Sequence, residues 1–424
     1  EAYNHLGIAL SVNGDIDEAL KSYTQALKIK PDCAETLVNI FFVLAAKRPQ
    51  EDFSATKTVI DNLSLATAPL ETYLLNYKLH LGRPSAQTCY VNAIDCLAKT
   101  QNTSINNPNH KQLQKREPTP IGPEKIIAML HFGRSGTGLV HSLLDGHPQV
   151  STLPSVYFSE FFDVATWEYI TGGGWHQIVD RFIAKYPVLF DANAKEPVAS
   201  KGRQSIRSLG IKEGMTKLGI GKNEILGLDK KRFRDELNHM MQFYGELDAF
   251  EFFRLVHHSY ERVLNRPKGK DLLFYHIHNP DTCAKLNFIR SAPHAHWLMM
   301  VREPIQSCES WIIRNFKENN YAQVVNRIVG MLYEIDQVIF RNQPSIGMRL
   351  EDLKEHPKNT INALCDWMGI EEEESLYEMT AQGKKWWGDP SSPDYGKQEM
   401  TPFGKASTER KVGSVLSDND QFVL

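Results

Sequence analysis

The chain is poor in the features that place many proteins at sight. Its six cysteines, Cys33, Cys89, Cys96, Cys283, Cys308 and Cys365, form no C-x-x-C pair and no metal-ligand spacing. That argues against a disulfide framework or a zinc module and for reduced thiols in the core. Neither sign of charge dominates: 48 basic against 51 acidic residues leave a net charge of −3. Broad electrostatic binding of nucleic acid or anionic membrane is therefore not expected, although a local basic pocket is allowed. The longest nearly unbroken apolar run, Leu37 to Ala46, is far short of a membrane span. No charged-then-apolar leader opens the chain, so a cytoplasmic location is expected, although the sequence starts at Glu1 inside a repeat. What is present is ordinary globular composition, with 424 residues, 42% of them hydrophobic and 23% charged, enough for two or three domains.

The first hundred residues carry a helical repeat. Tyr3, Leu6, Gly7, Gly14, Ala19, Tyr23, Ala26 and Pro31 fall where a helix-turn-helix pair of about 34 residues needs its large and small partners. This pattern resembles the tetratricopeptide repeat. A second pair is read from Ala34 to Leu65. A third is read from Ala86, Tyr90 and Ala93, which repeat the spacing of Ala19, Tyr23 and Ala26. Residues 1–100 are thus expected to form an all-α array. Residues 101–124, rich in Asn, Pro, Lys and Gln without an apolar period, read as a linker. The acceptor triplets at Asn62 and Asn102 arise too easily by chance to carry weight.

From residue 125 onward, apolar strands alternate with helices. Strands are predicted at 126–131, 272–278, 296–302 and 346–350, and helices at 138–146, 304–316, 321–340 and 357–368. The order implies an α/β domain over 125–424 with a parallel sheet covered on both faces. Ligands belong at the carboxyl ends of such strands. There the stretch IIAMLHFGRSGTGLVHSLL, Ile126 to Leu144, passes from strand through a glycine-rich turn into a helix. Main-chain N–H groups at the helix start, freed by Gly133, Gly136 and Gly138, together with the hydroxyls of Ser135 and Thr137, make an anion site. The loop lacks the Lys and the Ser/Thr on magnesium that a nucleotide triphosphatase needs.

A second segment, HWLMMVREPIQSCES from His296 to Ser310, ends a buried strand at Arg302 and starts a helix at Pro304. The Arg302 guanidinium and the Ser310 hydroxyl, eight residues later, can hold a second phosphate between them. Two anion sites suggest a doubly phosphorylated ligand.

Taken together, the strand–loop–helix with R-S-G-T and the later V-R-x-P with serine at +8 resemble the nucleotide-binding segments of sulfotransferases. Those enzymes use 3′-phosphoadenosine 5′-phosphosulfate. The resemblance implies a parallel-sheet, P-loop-like sulfotransferase domain. In it Arg134, Ser135, Gly136, Thr137 and Gly138 cradle the 5′-phosphosulfate, and Arg302 and Ser310 hold the 3′-phosphate. GMRLEDLKEHP…LCDWMGI, from Gly347 to Ile370, matches a family segment read here as scaffolding. Arg410, Lys411 and Gly413 resemble the R-K-x-G loop that closes over the 3′-phosphate side. Arg134 stands where many members have Lys. Because Arg does not readily donate a proton, it is assigned to electrostatic stabilisation.

Transfer to a hydroxyl requires a base at the acceptor. His278, in H-N-P after LLFYHIH, is the leading assignment, since an H-x-P at a similar place carries the catalytic histidine of small-molecule members. The rival is Glu160 in YFSEFFD. It is the nearest acidic residue to Ser155 and Val156, which stand where other members have Glu. His141 is a weaker candidate. His276 with His278 as a metal pair lacks a third ligand, so no metal is expected. The acceptor is a hydroxyl compound of unspecified class, with Tyr169, Trp175, His257, His258 and Tyr260 as candidates for its pocket, while Trp386 and Trp387 read as packing. Two alternatives stand beside this reading. One is a P-loop kinase. The other is a helical-repeat adaptor with a noncatalytic α/β domain, since solenoid grooves commonly bind peptides. In either case the helical region would serve a protein partner or self-association.

Overall fold

The computed structural model describes residues 1–30, 33, 36–37, 39–40, 43, 72–73, 76–77, 84–99, 104–109, 125–131, 135–154, 161–162, 164–195, 209–266, 270–277, 282–315, 344–390, 402–404 and 415–423. At the N-terminus, α1 (Ala2–Asn13) and α2 (Ile16–Ile29) form a hairpin. Gly7 is required by packing, because a Cβ there would fall within the Tyr23 ring. Gly14 ends α1 in the left-handed region, at φ 91°. Its N–H bonds Ser11 O, and the next N–H, of Asp15, bonds Leu10 O, which together close a Schellman cap. Ala19, Tyr23 and Leu27 are buried with Leu37, Ile40 and Val43 in a cluster of their own. The remainder of the second predicted hairpin lies outside the described residues.

Helix α3 (Pro84–Lys99) covers the third repeat signature, and Tyr77 and Tyr90 meet with ring centroids 5.7 Å apart. Tyr77, Tyr90 and Ala93 belong to the large core cluster of the α/β region. Within the predicted linker, Ile105–Asn106 pairs antiparallel with Glu246–Leu247, and the Asn107 amide donates to Tyr244 O at 3.0 Å.

The centre is a five-stranded parallel sheet of β1 (Lys125–His131), β2 (Val150–Thr152), β3 (Leu272–His276), β4 (His296–Val301) and β5 (Ser345–Arg349), in the order β2-β3-β1-β4-β5. Ile127 and Met129 face α4 (Thr137–Asp145), while Ile126, Ala128 and Leu130 face the opposite layer. Burial on both faces explains why these strands read as unbroken apolar runs. The opposite layer contains α5 (Val164–Thr171), α6 (Ile178–Lys185), α7 (Lys230–Met241) and α8 (Ala249–Val263). There Phe161, Phe162, Phe182, Phe233, Phe252 and Phe253 form a continuous aromatic core. Helices α9 (Thr282–Ser291) and α10 (Pro304–Asn315) follow β3 and β4, and α11 (Leu350–Glu355) and α12 (Pro357–Met368) follow β5.

Four strands and three helices begin and end within a residue or two of the sequence expectation; the predicted helix 321–340 lies outside the described residues. The edge strand β2 is additional. Its three residues, between Pro148 and Pro154, are too few to display a period. Among the described residues no helix is long and apolar enough to cross a membrane.

Candidate functional site

The site follows from the strand order. β1 passes its chain toward the β3–β2 side of the sheet and β4 passes its chain to β5 on the other side, so a crevice opens beyond the carboxyl ends of β1 and β4. The two strands are in register from Ile127 opposite His296 to His131 opposite Met300, and they therefore end level. The segments leaving β1 and β4 face one crevice.

On the β1 side, Ser135 and Gly136 lead into α4. Gly136 is doubly constrained: its φ is 82°, and a Cβ would stand 2.5 Å from Leu350 Cδ1. Gly138 differs, since a Cβ there would meet only Trp386 Cη2, at an ordinary 3.6 Å. Among the described residues no side chain caps α4, and although Leu139 N and Val140 N turn back to Gly136 O, the helix start keeps the positive end of its dipole. Thr137 is buried at the first helical position. Ser135 is 1% exposed and its Oγ has no partner among the described residues. An orphan buried hydroxyl costs about 1–3 kcal/mol, a cost that an anion in the loop would relieve. The residues present fit a bound phosphate or sulfate.

On the β4 side, Arg302 is buried and its Nη2 donates to Gln306 Oε1 at 3.1 Å. Here the helix end is closed. The Glu303 carboxylate accepts from the N–H groups of Ile305, at 3.2 Å, and Gln306. Any anion recognition at this position would therefore rest on side chains. Ser310 is buried on α10. Ser307, three residues before it on the same face, is fully buried, and its Oγ has no partner among the described residues. The sequence reading missed Ser307, although its i−3 spacing from Ser310 signals it. The Glu309 Oε1 accepts from Val415 N at 3.1 Å and Leu416 N at 3.0 Å, tying the C-terminal segment to the helix that carries Ser310. Both acidic neighbours of the arginine segment are thus engaged by main-chain donors. Burial, with Glu303 and Glu309 nearby, pushes the Cys308 thiol up to about 11, which makes it an inert core group.

Of the predicted site residues, Ser135, Gly136, Thr137 and Gly138 follow β1, and Arg302 and Ser310 follow β4, the neighbouring strand. Arg134, Glu160, His278, Arg410, Lys411 and Gly413 lie outside the described residues. β3 ends at His276, and Ile277 N bonds Met129 O at 3.0 Å.

His141 is a core histidine. Its ring packs on Phe274 and His276, with centroids 5.9 and 6.0 Å away, and burial lowers it to about 4. Two residues expected to line an acceptor pocket also belong to the interior. His257 shares a hydrogen bond of 3.0 Å with Ser151 Oγ, and Tyr260 OH lies 3.2 Å from Leu189 O and 2.6 Å from Gln382 Nε2. Both side chains point inward from an amphipathic α8, whose inner face the sequence alone does not identify. Trp386 and Trp387 are buried as packing residues, donating to Glu213 O at 3.0 Å and Gly219 O at 2.7 Å.

The far end of α4 anchors a polar network that is absent from the sequence reading. Asp145 accepts from Thr152 Oγ1 at 3.1 Å, Thr380 Oγ1 at 3.0 Å and Gly383 N at 2.7 Å, and it pairs with Arg266 at 3.3 Å. Burial alone would raise its pKa, but Arg266 and the donated hydrogen bonds hold it below the usual carboxylate range. Arg266 also donates to Asp145 O at 3.0 Å.

The fold is an α/β class built on a parallel sheet whose candidate site lies at the carboxyl ends of its strands, and comparison gives the family. The chain belongs to the sulfotransferase family, whose profile matches residues 127–374, more than half of it. A tetratricopeptide-repeat profile matches residues 1–33. Similar solved structures include the sulfotransferase domain of the Synechococcus PCC 7002 olefin synthase, at 16% identity and TM-score 0.41, covering 72% of this chain and 93% of that one. A sulfotransferase domain from the curacin biosynthetic pathway is 13% identical at TM-score 0.39, covering 72% and 96%. Sulfotransferase STF9 from Mycobacterium avium is 12% identical at TM-score 0.28, covering 79% and 84%. No curated protein matches the chain.

Proposed function

We propose that residues 125–424 transfer the sulfuryl group of 3′-phosphoadenosine 5′-phosphosulfate to an acceptor hydroxyl, without a metal. Residues 1–100, joined through 101–124, would engage a protein partner or a second copy of the chain. The observation that carries this reading is the pair of anion segments at level ends of β1 and β4, one with an uncapped helix and the orphan Ser135 hydroxyl, the other with buried Arg302 and Ser310.

The donor supplies an activated sulfuryl group whose leaving oxygen gains negative charge during transfer. The main-chain N–H groups of Gly136, Thr137 and Gly138 and the Ser135 hydroxyl are assigned to the 5′ side, with Arg134 stabilising developing charge. Preorganised donors of this kind need no rearrangement when charge appears. Arg302 and Ser310, joined by Ser307, are assigned to the 3′-phosphate. Arg410, Lys411 and Gly413 are assigned to the same side, because the chain that follows them is tied to Glu309 beside Ser310.

His278 is assigned as the base that takes the acceptor proton. It follows β3 by two residues, and β3 leaves the sheet beside Met129 of β1, on the edge where the glycine loop begins. A histidine of ordinary pKa is suited to that work near neutrality. Glu160 is the alternative base.

Calorimetry with 3′,5′-adenosine bisphosphate tests the reading. Binding preferred over ATP, and weakened about 10- to 100-fold in Arg302→Ala, is the expected result; preference for ATP would overturn it. In the same assay His278→Ala keeps its nucleotide affinity, while turnover falls about 10²- to 10⁴-fold. Full turnover in that variant moves the base to Glu160.

A further inference from the structure

The turn that follows β5 touches both anion segments. β5 pairs with β4 through Arg349 opposite Val301, so the next residues, Leu350 and Glu351, lie alongside Arg302 and Glu303. Leu350 is the residue that fills the space beside Gly136 in the first loop. The Glu351 Oε1 accepts from Glu303 N at 3.1 Å. That N–H belongs to the peptide joining Arg302 to Glu303, the first peptide beyond the strand, so the carboxylate fixes the plane from which the Arg302 side chain departs. Glu303 in turn caps α10, and Gln306, whose N–H it accepts, receives the Arg302 guanidinium.

The cost of this arrangement argues against simple scaffolding. Glu351 is half-buried, but its second carboxylate oxygen is buried with no partner among the described residues, and leaving a carboxylate oxygen buried and unpaired is unfavourable where an apolar or neutral side chain would pack. What it gains is a charge-assisted hydrogen bond on one particular peptide. A hydrophobic contact to one loop and a hydrogen bond to the other, made by consecutive residues, set the two loops in fixed relation.

We propose that Glu351 is a positioning residue, and that with Leu350 it sets the separation of the two anion segments, so that the site selects ligands carrying two charged groups over those carrying one. The inference rests on the donor reading given above. It goes beyond that reading in assigning discrimination to residues that touch neither phosphate.

The test compares 3′,5′-adenosine bisphosphate with adenosine 5′-monophosphate by calorimetry on the full chain, using wild type, Glu351→Ala, Glu351→Gln, Arg302→Ala and the double variant Arg302→Ala/Glu351→Ala. In Glu351→Ala, bisphosphate affinity falls about tenfold while monophosphate affinity stays within about twofold. Glu351→Gln, which keeps a carbonyl acceptor, restores most of the bisphosphate affinity. In the Arg302→Ala background, removing Glu351 produces no further loss, because its effect acts through the arginine. Equal weakening of both ligands, full retention of bisphosphate preference in Glu351→Ala, or additive losses in the double variant each overturn the inference while leaving the donor reading intact. A wild type that does not prefer the bisphosphate overturns the donor reading, and this inference with it.

Discussion

His257 illustrates how a single buried residue makes the whole fold sensitive to acid. Ser151 Oγ donates its one proton to Glu261 Oε1 at 3.1 Å, so the 3.0 Å contact with His257 requires a proton on the imidazole Nδ1. The neutral ring is thereby held in one tautomer. Burial, with His141 nearby, lowers His257 to about 3, and burial lowers His141 to about 4. Both groups have folded pKa values below the unfolded value, so their stability contribution is present above about pH 6.5 and is lost as pH falls through that value toward pH 4 and 3. In this range the unfolded chain binds protons that the native one refuses. Urea denaturation at pH 7 and pH 5 is expected to show a loss that shrinks by roughly 2 kcal/mol in His257→Gln, whereas an unchanged difference would place the acid sensitivity elsewhere. None of this was legible beforehand. The sequence identifies His257 as a polar residue one helical turn from Glu261, while Ser151, which bonds both, is 106 residues from His257 and is brought to them only by the fold.

At the scale of the element, the passage from β1 into α4 separates two glycines that look alike in the sequence. Gly136 serves the backbone: an L-residue at φ 82° costs about 1–2 kcal/mol, and its Cβ would also displace Leu350. Gly138 sits in right-handed helix with ordinary room on the protein side. Gly136→Ala is accordingly expected to lower the melting temperature and the bisphosphate affinity together. Gly138→Ala should stabilise the free protein by about 0.5 kcal/mol yet weaken binding, because its added methyl lies where main chain and ligand approach. Paired melting and calorimetry separate these cases, and a Gly138→Ala variant with undiminished affinity would remove that position from the site. Most elements here were readable because strands buried on both faces give long apolar runs and their helices carry Pro or Gly at the ends. Pro304 and Pro357 start α10 and α12, and Gly369 ends α12 at φ 66°. The strand-end segments proposed as anion loops stood out in the sequence for a related reason, since glycine and arginine at strand ends are chemically distinctive. Glu351 was not, because E-D-L at a helix start is also an ordinary solvated turn until the neighbouring strand supplies the Glu303 N–H.

For the molecule as a whole, the helical region is two things. The α1–α2 hairpin closes its own small core with Leu37, Ile40 and Val43, whereas Tyr77, Tyr90 and Ala93 contribute to the main core and α3 lies against α9. Deleting residues 1–43 is expected to leave the melting transition of the remainder within a few degrees of wild type. Deleting residues 1–100 strips two buried tyrosines from the main core, at about 3–5 kcal/mol for a large aromatic, and should lower the transition by roughly 10 °C or more. Equal melting of the two truncations would mean that α3 is dispensable to the catalytic core. The contrast between the two helix ends at the crevice also bears on how such a protein can diverge. On the proposed reading the donors at α4, the Ser135 hydroxyl apart, are peptide groups common to every sequence, and these can be lost only by distorting the chain. Those beside α10 are side chains, each open to replacement by a single codon change. On the proposed reading, selection acting on nucleotide preference has its freest material at residues 302–310, while Gly136 can vary little without distorting the loop itself.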